Sequence, residues 1–280
     1  AFHDTDHSFR YWNILLGHWL KRYVDVCSNR YYTIEKVLKN YKIISTTVLH
    51  SPGFRFAKHD SLSFSQACDN DIWNNMFYAR VLEHMDIQDI DLYTVDIENQ
   101  EECKLKESSA IVWFQSPIKW VRNIIRNISP KLCKNTDAFI INSYLPKWQE
   151  IALYLSLWQF PQFWQSPTLV KVSVDPKARK KLVISSEGYF GFENFVRDLL
   201  ADIIPTCYLE GYTKLNNQAK SLAWPSKPSF IFTSNNFDTD EIFKAWAGIR
   251  TEQGVPYFVG QHGNNYGTIL GSPSRTELLT

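Results

Sequence analysis

The sequence lacks any run of about 18 apolar residues, so no stretch of it is long enough to cross a bilayer as a helix. Its five cysteines, Cys27, Cys68, Cys103, Cys133 and Cys207, are odd in number, scattered, and form no CxxC pair. This spacing argues against a metal site or a disulfide framework and fits a reducing cytoplasm. No glycine-rich phosphate loop of the P-loop or GxGxxG type is present, and no GxSxG elbow. Common nucleoside triphosphatases, simple dehydrogenases and α/β-hydrolases are thereby disfavoured. Charge of one sign is lacking too: 30 basic residues face 29 acidic ones, and the net charge is +1. No global field draws nucleic acid to such a chain. Internal repeats and low-complexity tracts are absent.

Aromatic residues, by contrast, are plentiful. Ten Trp, fourteen Tyr and eighteen Phe in 280 residues point first to a thick core, because aromatics dominate core energetics. Residues 8–27 place Phe9, Trp12, Leu15, Leu16, Trp19, Leu20, Tyr23 and Val24 at helical spacing, with Ser8 as a cap, and residues 31–40 read as a second helix. Residues 42–49 are β-branched and read as a strand. Residues 61–83 are helical again, and residues 86–107 read as a polar, irregular surface excursion. Residues 110–128 suit a helix with a basic face. A short buried strand at 138–142 leads through Tyr144-Leu145-Pro146 into a helix at 147–157, ended by an aromatic stretch at 158–164. The basic run Lys177–Lys181 reads as a turn before a strand at 182–185. It can also meet an anionic lipid surface, which would make the chain a peripheral membrane protein. Residues 192–204 form an amphipathic helix stopped by Pro205.

The last third carries the clearest pattern. A buried strand at 229–233 is followed by a helix at 239–252, capped by Thr239 and stopped by Gly254, and by a second buried strand at 256–260. Strand, helix and strand within 30-odd residues make a βαβ unit, and short unbroken apolar strands belong to parallel sheets covered on both faces. The expected fold is therefore α/β, a Rossmann-like parallel sheet with flanking helices, forming one domain over residues 1–270. Residues 271–280 read as the start of a linker to a second domain, so the chain is expected to be part of a longer protein.

Open α/β sheets bind ligands at the carboxyl ends of their strands. Two polar clusters fall there: Ser234-Asn235-Asn236 after one strand, and Gln261-His262-Gly263-Asn264-Asn265 after the next. Gly260 and Gly263 flank His262, which lets the backbone turn sharply and a ligand approach. His262 can act as a general base near neutrality or donate to phosphate; a histidine satisfied by its own loop is the bland alternative. A second cluster, from His3 to Arg10, holds two His, two Asp and one Arg before a helix start. Its spacing matches no strong metal-ligand signature. Arg10 offers a bidentate donor to an anion, with His3 and His7 beside it, although a capping loop without chemistry fits nearly as well. Glu187, Glu210 and Asp137 read as turn residues, and Tyr144 as a candidate to face a cleft. Trp148, Trp158, Phe160, Phe163 and Trp164 offer an alternative, a glycan- or partner-binding surface on a non-catalytic module.

Several of these segments resemble a transferase family of O-antigen and surface-polysaccharide loci. The likeness rests on His7–Leu20 with Tyr23-Val24-Asp25-Val26 and Arg30-Tyr31, on Ser143-Tyr144-Leu145, on Leu157–Trp164, on Tyr208–Tyr212, and on Gly260–Gly263 with Tyr266-Gly267. Where that family commonly has Pro after a Leu-Gly pair, this chain has His18. The Gln-His-Gly turn is also similar to one in CDP-glycerol polymerases, where a histidine faces the cleft between two domains. The resemblance implies the N-terminal half of a GT-B-type glycosyltransferase without a bound metal or other cofactor. Such an enzyme would move a sugar, among them a CMP-activated acidic sugar, from a nucleotide donor to a glycan or lipid-linked acceptor at the inner face of the inner membrane. His262 would be its base or phosphate partner. His3, His7 and Arg10 would bind an anionic group, and Asn235, Gln261, Gly263 and Asn264 the sugar. A glycerophosphate-type phosphotransferase is a further alternative.

Overall fold

The computed structural model describes residues 3–51, 54–87, 91–96, 132–182, 184–185 and 187–260. Its longest element, α1 (Phe9–Asn40), begins where Ser8 accepts a hydrogen bond from the Tyr11 N–H. Tyr11, Ile14, Leu15, His18, Trp19, Tyr23, Val26, Cys27 and Tyr31 fall on its buried face. The two helices expected here are one, because Tyr31 extends that face by packing on Phe192 and Phe195. The helix expected at 61–83 is instead two, α2 (Ser61–Ala67) and α3 (Asp71–Met85). Asn70 caps the second through the Trp73 N–H, and the Arg30 guanidinium donates to the Cys68 carbonyl and to Asn74, pinning the break to α1.

Strand β1 (Ser45–His50) pairs in parallel with β2 (Asp91–Asp96), Ser45 opposite Asp91 and His50 opposite Asp96. This corrects the reading of residues 86–107 as wholly irregular. The polar residues of β2, Asp91, Thr94 and Asp96, fall at both odd and even positions, so no clean two-residue alternation marks it within a polar stretch. A second sheet holds β3 (Phe139–Ile141), β4 (Ile231–Thr233) and β5 (Tyr257–Val259), all parallel and in the order β3-β4-β5. Its register aligns Ile141, Thr233 and Val259 along the carboxyl edge. Among the described residues the fold is thus mixed α/β with two small parallel sheets.

Helix α4 (Lys147–Ser156) follows β3. The basic run expected to be a turn is helix α5 (Pro176–Lys181), capped by Asp175, and the strand expected after it is absent: Leu182, Ile184 and Ser185 lie outside any strand. Helices α6 (Gly191–Ile203) and α7 (Tyr212–Lys220) follow. Between β4 and β5 lie a short α8 (Asn236–Thr239) and α9 (Glu241–Glu252). The cap of α9 is Asp240, which accepts from the Phe243 N–H, and not Thr239, because residues 236–239 are themselves helical. Gly254 ends α9 with φ +84, a conformation that favours glycine.

The core lies where α1 packs along α9, with α3, α6 and α7 beside them. Phe139 of β3 is enclosed by the rings of Trp164, Trp224 and Trp246, at centroid distances of 5.2, 4.7 and 4.4 Å. Each such ring contributes about 1.5–3 kcal/mol by leaving water. Much of the aromatic excess in the sequence is spent here.

Candidate functional site

The carboxyl edge of the β3-β4-β5 sheet is built from the residues just past each strand. After β3 the chain turns through Asn142 (φ 48), Ser143 and Tyr144 (φ 58), two left-handed non-glycine residues within three positions. After β4 come Ser234, Asn235 and Asn236. The two turns are stitched together: the Ser234 N–H donates to the Asn142 carbonyl at 3.2 Å and the Ser234 hydroxyl to the Ser143 carbonyl at 3.3 Å. The Asn142 amide donates to Asn236 Oδ1 at 2.6 Å, and the Asn236 amide donates to Asp240 Oδ2 at 2.5 Å. Ser166 also donates to Asp240. Burial pushes the Asp240 carboxyl above the usual carboxylate range, while the bonds from Ser166, Phe243 and Asn236 pull the other way.

Asn235 sits exposed at the centre of this edge, with its N–H held by Thr233 Oγ1. Gly260 closes the edge from the β5 side. A Cβ there would meet Ser234 Oγ at 2.5 Å and the Phe232 ring at 2.8 Å, so only glycine lets β5 end against β4. Gln261, His262, Gly263 and Asn264 follow directly in sequence and lie outside the described residues. Ser143, Ser234 and Asn236 are buried. Ser234 and Asn236 hold the exposed Asn142, and Thr233 holds the exposed Asn235, two residues whose amides are groups of the kind that sugar hydroxyls and phosphate oxygens pair with.

The structure does not gather the N-terminal cluster at this edge. His3 donates from Nε2 to the Tyr208 carbonyl, 2.9 Å away, and stacks on Tyr212. Partial burial lowers its pKa, against the pull of that hydrogen bond. His7 stacks on Tyr11 and bonds Glu252 through Nδ1 at 2.6 Å. The second oxygen of Glu252 accepts the Ser8 N–H at 2.5 Å. An internal carboxylate thus occupies the anion position expected at the α1 amino terminus. Arg10 is exposed and lines, with Asp6, His7, Ser8, Thr251 and Glu252, an open cleft of about 550 Å³. Glu252 ends α9 and Asp240 begins it, so the two clusters stand about 18 Å apart along that helix.

Between these ends runs a feature that the sequence reading missed. Lys244 is fully buried and pairs with Glu241 at 2.8 Å. It also donates to Tyr208 Oη at 2.8 Å and to the Asp238 carbonyl at 3.2 Å, while Tyr208 donates to Glu241 and the Ser61 N–H to Glu241 Oε1. His18 lies against this group, its ring tilted on that of Phe237 at 4.9 Å, with both ring nitrogens buried and without a hydrogen-bond partner. Burial, with Lys244 and Arg22 nearby, lowers the His18 pKa to about 4 despite Asp238. The signal was present in Ile242-Phe243-Lys244-Ala245-Trp246-Ala247: a helix apolar on every side buries any lysine within it, and Glu241 lies one turn back. Glu210 lies in a turn, as expected, and from there grips buried Arg179 with both carboxylate oxygens, at 2.7 and 2.9 Å. Among the described residues no three His, Cys, Asp or Glu side chains are placed to hold a metal ion.

Among the described residues the chain is a mixed α/β protein whose β3-β4-β5 sheet ends in a polar carboxyl edge closed by Gly260. A family model described as LIC12162 family transferase matches residues 1–277, and the chain belongs to that family. It is a transferase by that membership. No curated protein and no solved structure matches the chain.

Proposed function

We propose that this transferase is a glycosyltransferase acting on bacterial surface polysaccharide. It moves a sugar from a nucleotide-activated donor, with a CMP-linked acidic sugar as the leading candidate, to a glycan or lipid-linked acceptor. The observation that carries this reading is the carboxyl edge itself: Asn142, Ser143, Ser234 and Asn236 are locked in one hydrogen-bonded set, Asn235 is exposed among them, and Gly260, at the end of β5, is followed in sequence by Gln261-His262-Gly263. In this reading the sheet is one wall of a Rossmann-like, GT-B-type cleft. His262 deprotonates the acceptor hydroxyl or holds the leaving phosphate, and Asn235, Gln261, Gly263 and Asn264 hold sugar. His3 holds the N-terminal segment to the Tyr208 carbonyl, while His7 and Arg10 both line the open cleft, where an anionic group would meet them.

His262→Ala in the full-length protein should lower transfer from a nucleotide sugar by about a hundredfold or more, the usual worth of a positioned acid–base group. An unchanged rate with an intact fold sinks the role. Mass analysis of the product separates a glycoside from the phosphodiester of a glycerophosphate transferase.

A further inference from the structure

Helix α4 and the turns at its ends expose an apolar surface. Trp148, Ile151 and Leu155 recur at spacings of three and four, and Trp148 is 69% exposed and Leu155 60%. Tyr144 and Leu145 before the helix and Trp158 and Phe160 after it are exposed as well. Trp158 is 93% exposed and holds φ 56, a left-handed backbone that a bulky residue rarely adopts. Tyr144 does the same at the other end with φ 58. The left-handed backbone at Trp158 ends α4 in a Schellman turn, the Trp158 N–H donating to the Leu155 carbonyl and the Gln159 N–H to the Tyr154 carbonyl, both at 3.0 Å. Glycine or asparagine is the usual residue at such a position, so an exposed tryptophan there is not explained by the turn itself.

Charge decides what meets this surface. From residue 132 to residue 174 the only acidic residues are Asp137 and Glu150, and both are buried. Glu150 is turned inward onto Ser143 and Lys147, and Asp137 onto the Lys134 N–H and Gln162. The exposed charges of this stretch are Lys134, Lys147 and Lys171, of which Lys147 pairs with the inward-turned Glu150 at 3.2 Å. A glycan would ask for flat rings beside amides in a concavity, whereas leucine and isoleucine on a convex helix suit acyl chains. Tryptophan and tyrosine among aliphatics, fringed by lysine, is the composition of a helix lying in the plane of a membrane interface.

We infer that α4 with its flanking turns is a membrane-docking element for an anionic lipid surface, Trp148, Leu155 and Trp158 entering the interface and Lys147 meeting headgroups. In the basic run at α5, the segment that sequence alone suggested for this task, Arg179 is committed to Glu210, while Lys177, Lys180 and Lys181 are exposed but have no apolar face beside them on that short helix. This inference does not rest on the glycosyl-transfer reading, and a failed transfer assay leaves it standing.

The test sediments the whole chain with vesicles of phosphatidylglycerol and phosphatidylethanolamine, and with phosphatidylcholine vesicles. The wild type should bind the anionic vesicles in preference. Trp148→Glu combined with Leu155→Glu should lower binding roughly tenfold or more, since each buried side chain of this size is worth at least that factor. Circular dichroism and a thermal melt check the fold, and Trp158→Asn, which suits the left-handed backbone better, serves as a second variant. Three outcomes overturn the inference: a wild type that stays in the supernatant, variants that bind as well as the wild type, or a dimer that the same variants dissociate with no vesicle binding. Retention on a soluble polysaccharide in place of vesicles overturns it too.

Discussion

Helices α4 and α9 invert one another. Helix α9 is buried nearly all round and carries a lysine inside it; α4 is a short helix after β3 that turns its tryptophan and leucine outward. Both break the rule that places charge outside and apolar side chains inside. The reasons differ. In α9 the exception is satisfied within the fold, because Glu241, Tyr208, Ser61 and the Asp238 carbonyl surround Lys244. In α4 the exception is left open, because Trp148 and Trp158 stay largely exposed among the described residues. A buried charge that is fully paired belongs to architecture, whereas an exposed apolar face points to a partner.

The largest effect should come from breaking the closed exception. Lys244→Ala leaves Glu241 buried without its cation and should destabilise the protein by about 3–5 kcal/mol. A denaturant melt measures it. The double variant Lys244→Met with Glu241→Gln should recover much of that loss, since removing both charges removes the desolvation cost. If the double variant is no more stable than Lys244→Ala, the pair is not what holds α9 against α2.

Next in size is an acid sensitivity at the same place. The folded-state pKa of His18 is near 4, below the ordinary value of 6.5, so the fold favours neutral histidine. The stability this confers is complete above pH 6.5 and is lost as pH falls toward 4. A shift of this size is worth on the order of 3 kcal/mol. The groups facing the ring are Lys244 from α9, Asp238 from α8 and Arg22 on α1, and Arg22 is itself bound to Asp238 at 2.8 Å. His18→Phe keeps the ring on Phe237 and removes the titration, so its unfolding free energy should be flatter between pH 6.5 and 4. Parallel curves for both proteins would assign the acid sensitivity elsewhere.

A smaller effect belongs to the carboxyl edge. Asp240→Ala removes the α9 cap and the acceptor of Ser166 and Asn236 together. Loss of a cap costs about 1 kcal/mol, and the released Asn236 should also lower transfer activity. A melt and a transfer assay on one preparation separate the two. Activity unchanged at reduced stability would make the edge structural only.

The sequence told these regions apart unevenly, for physical reasons. Strands β3, β4 and β5 were legible because each is a short apolar run bounded by turn residues, and Ser8 announced the start of α1. Strand β2 was not legible, since an exposed two-stranded sheet writes only a faint alternation. The α2–α3 break depends on Arg30, some forty residues away, and no local pattern contains that contact. At the site, Asn235 was legible because it follows a strand. Asp240, Asn142 and Glu252 were hidden, because their roles depend on bonds to residues distant in the chain or on a helix boundary set by packing. His3, His7 and Arg10 form a cluster in sequence, yet their partners Tyr208 and Glu252 draw them to the far end of α9.

The smallest effect tests the open exception, and its sign is the informative part. Trp158 has almost no packing to lose, and its backbone at φ 56 is one that asparagine adopts more readily. Trp158→Asn should therefore leave stability unchanged or raise it, by up to about 1 kcal/mol. An outward-facing residue whose replacement improves the fold is retained for something other than the fold, and the same variant is expected to bind anionic vesicles less well. A marked loss of stability would show instead that the ring packs within the molecule, and α4 would then resemble α9 in closing its exception internally.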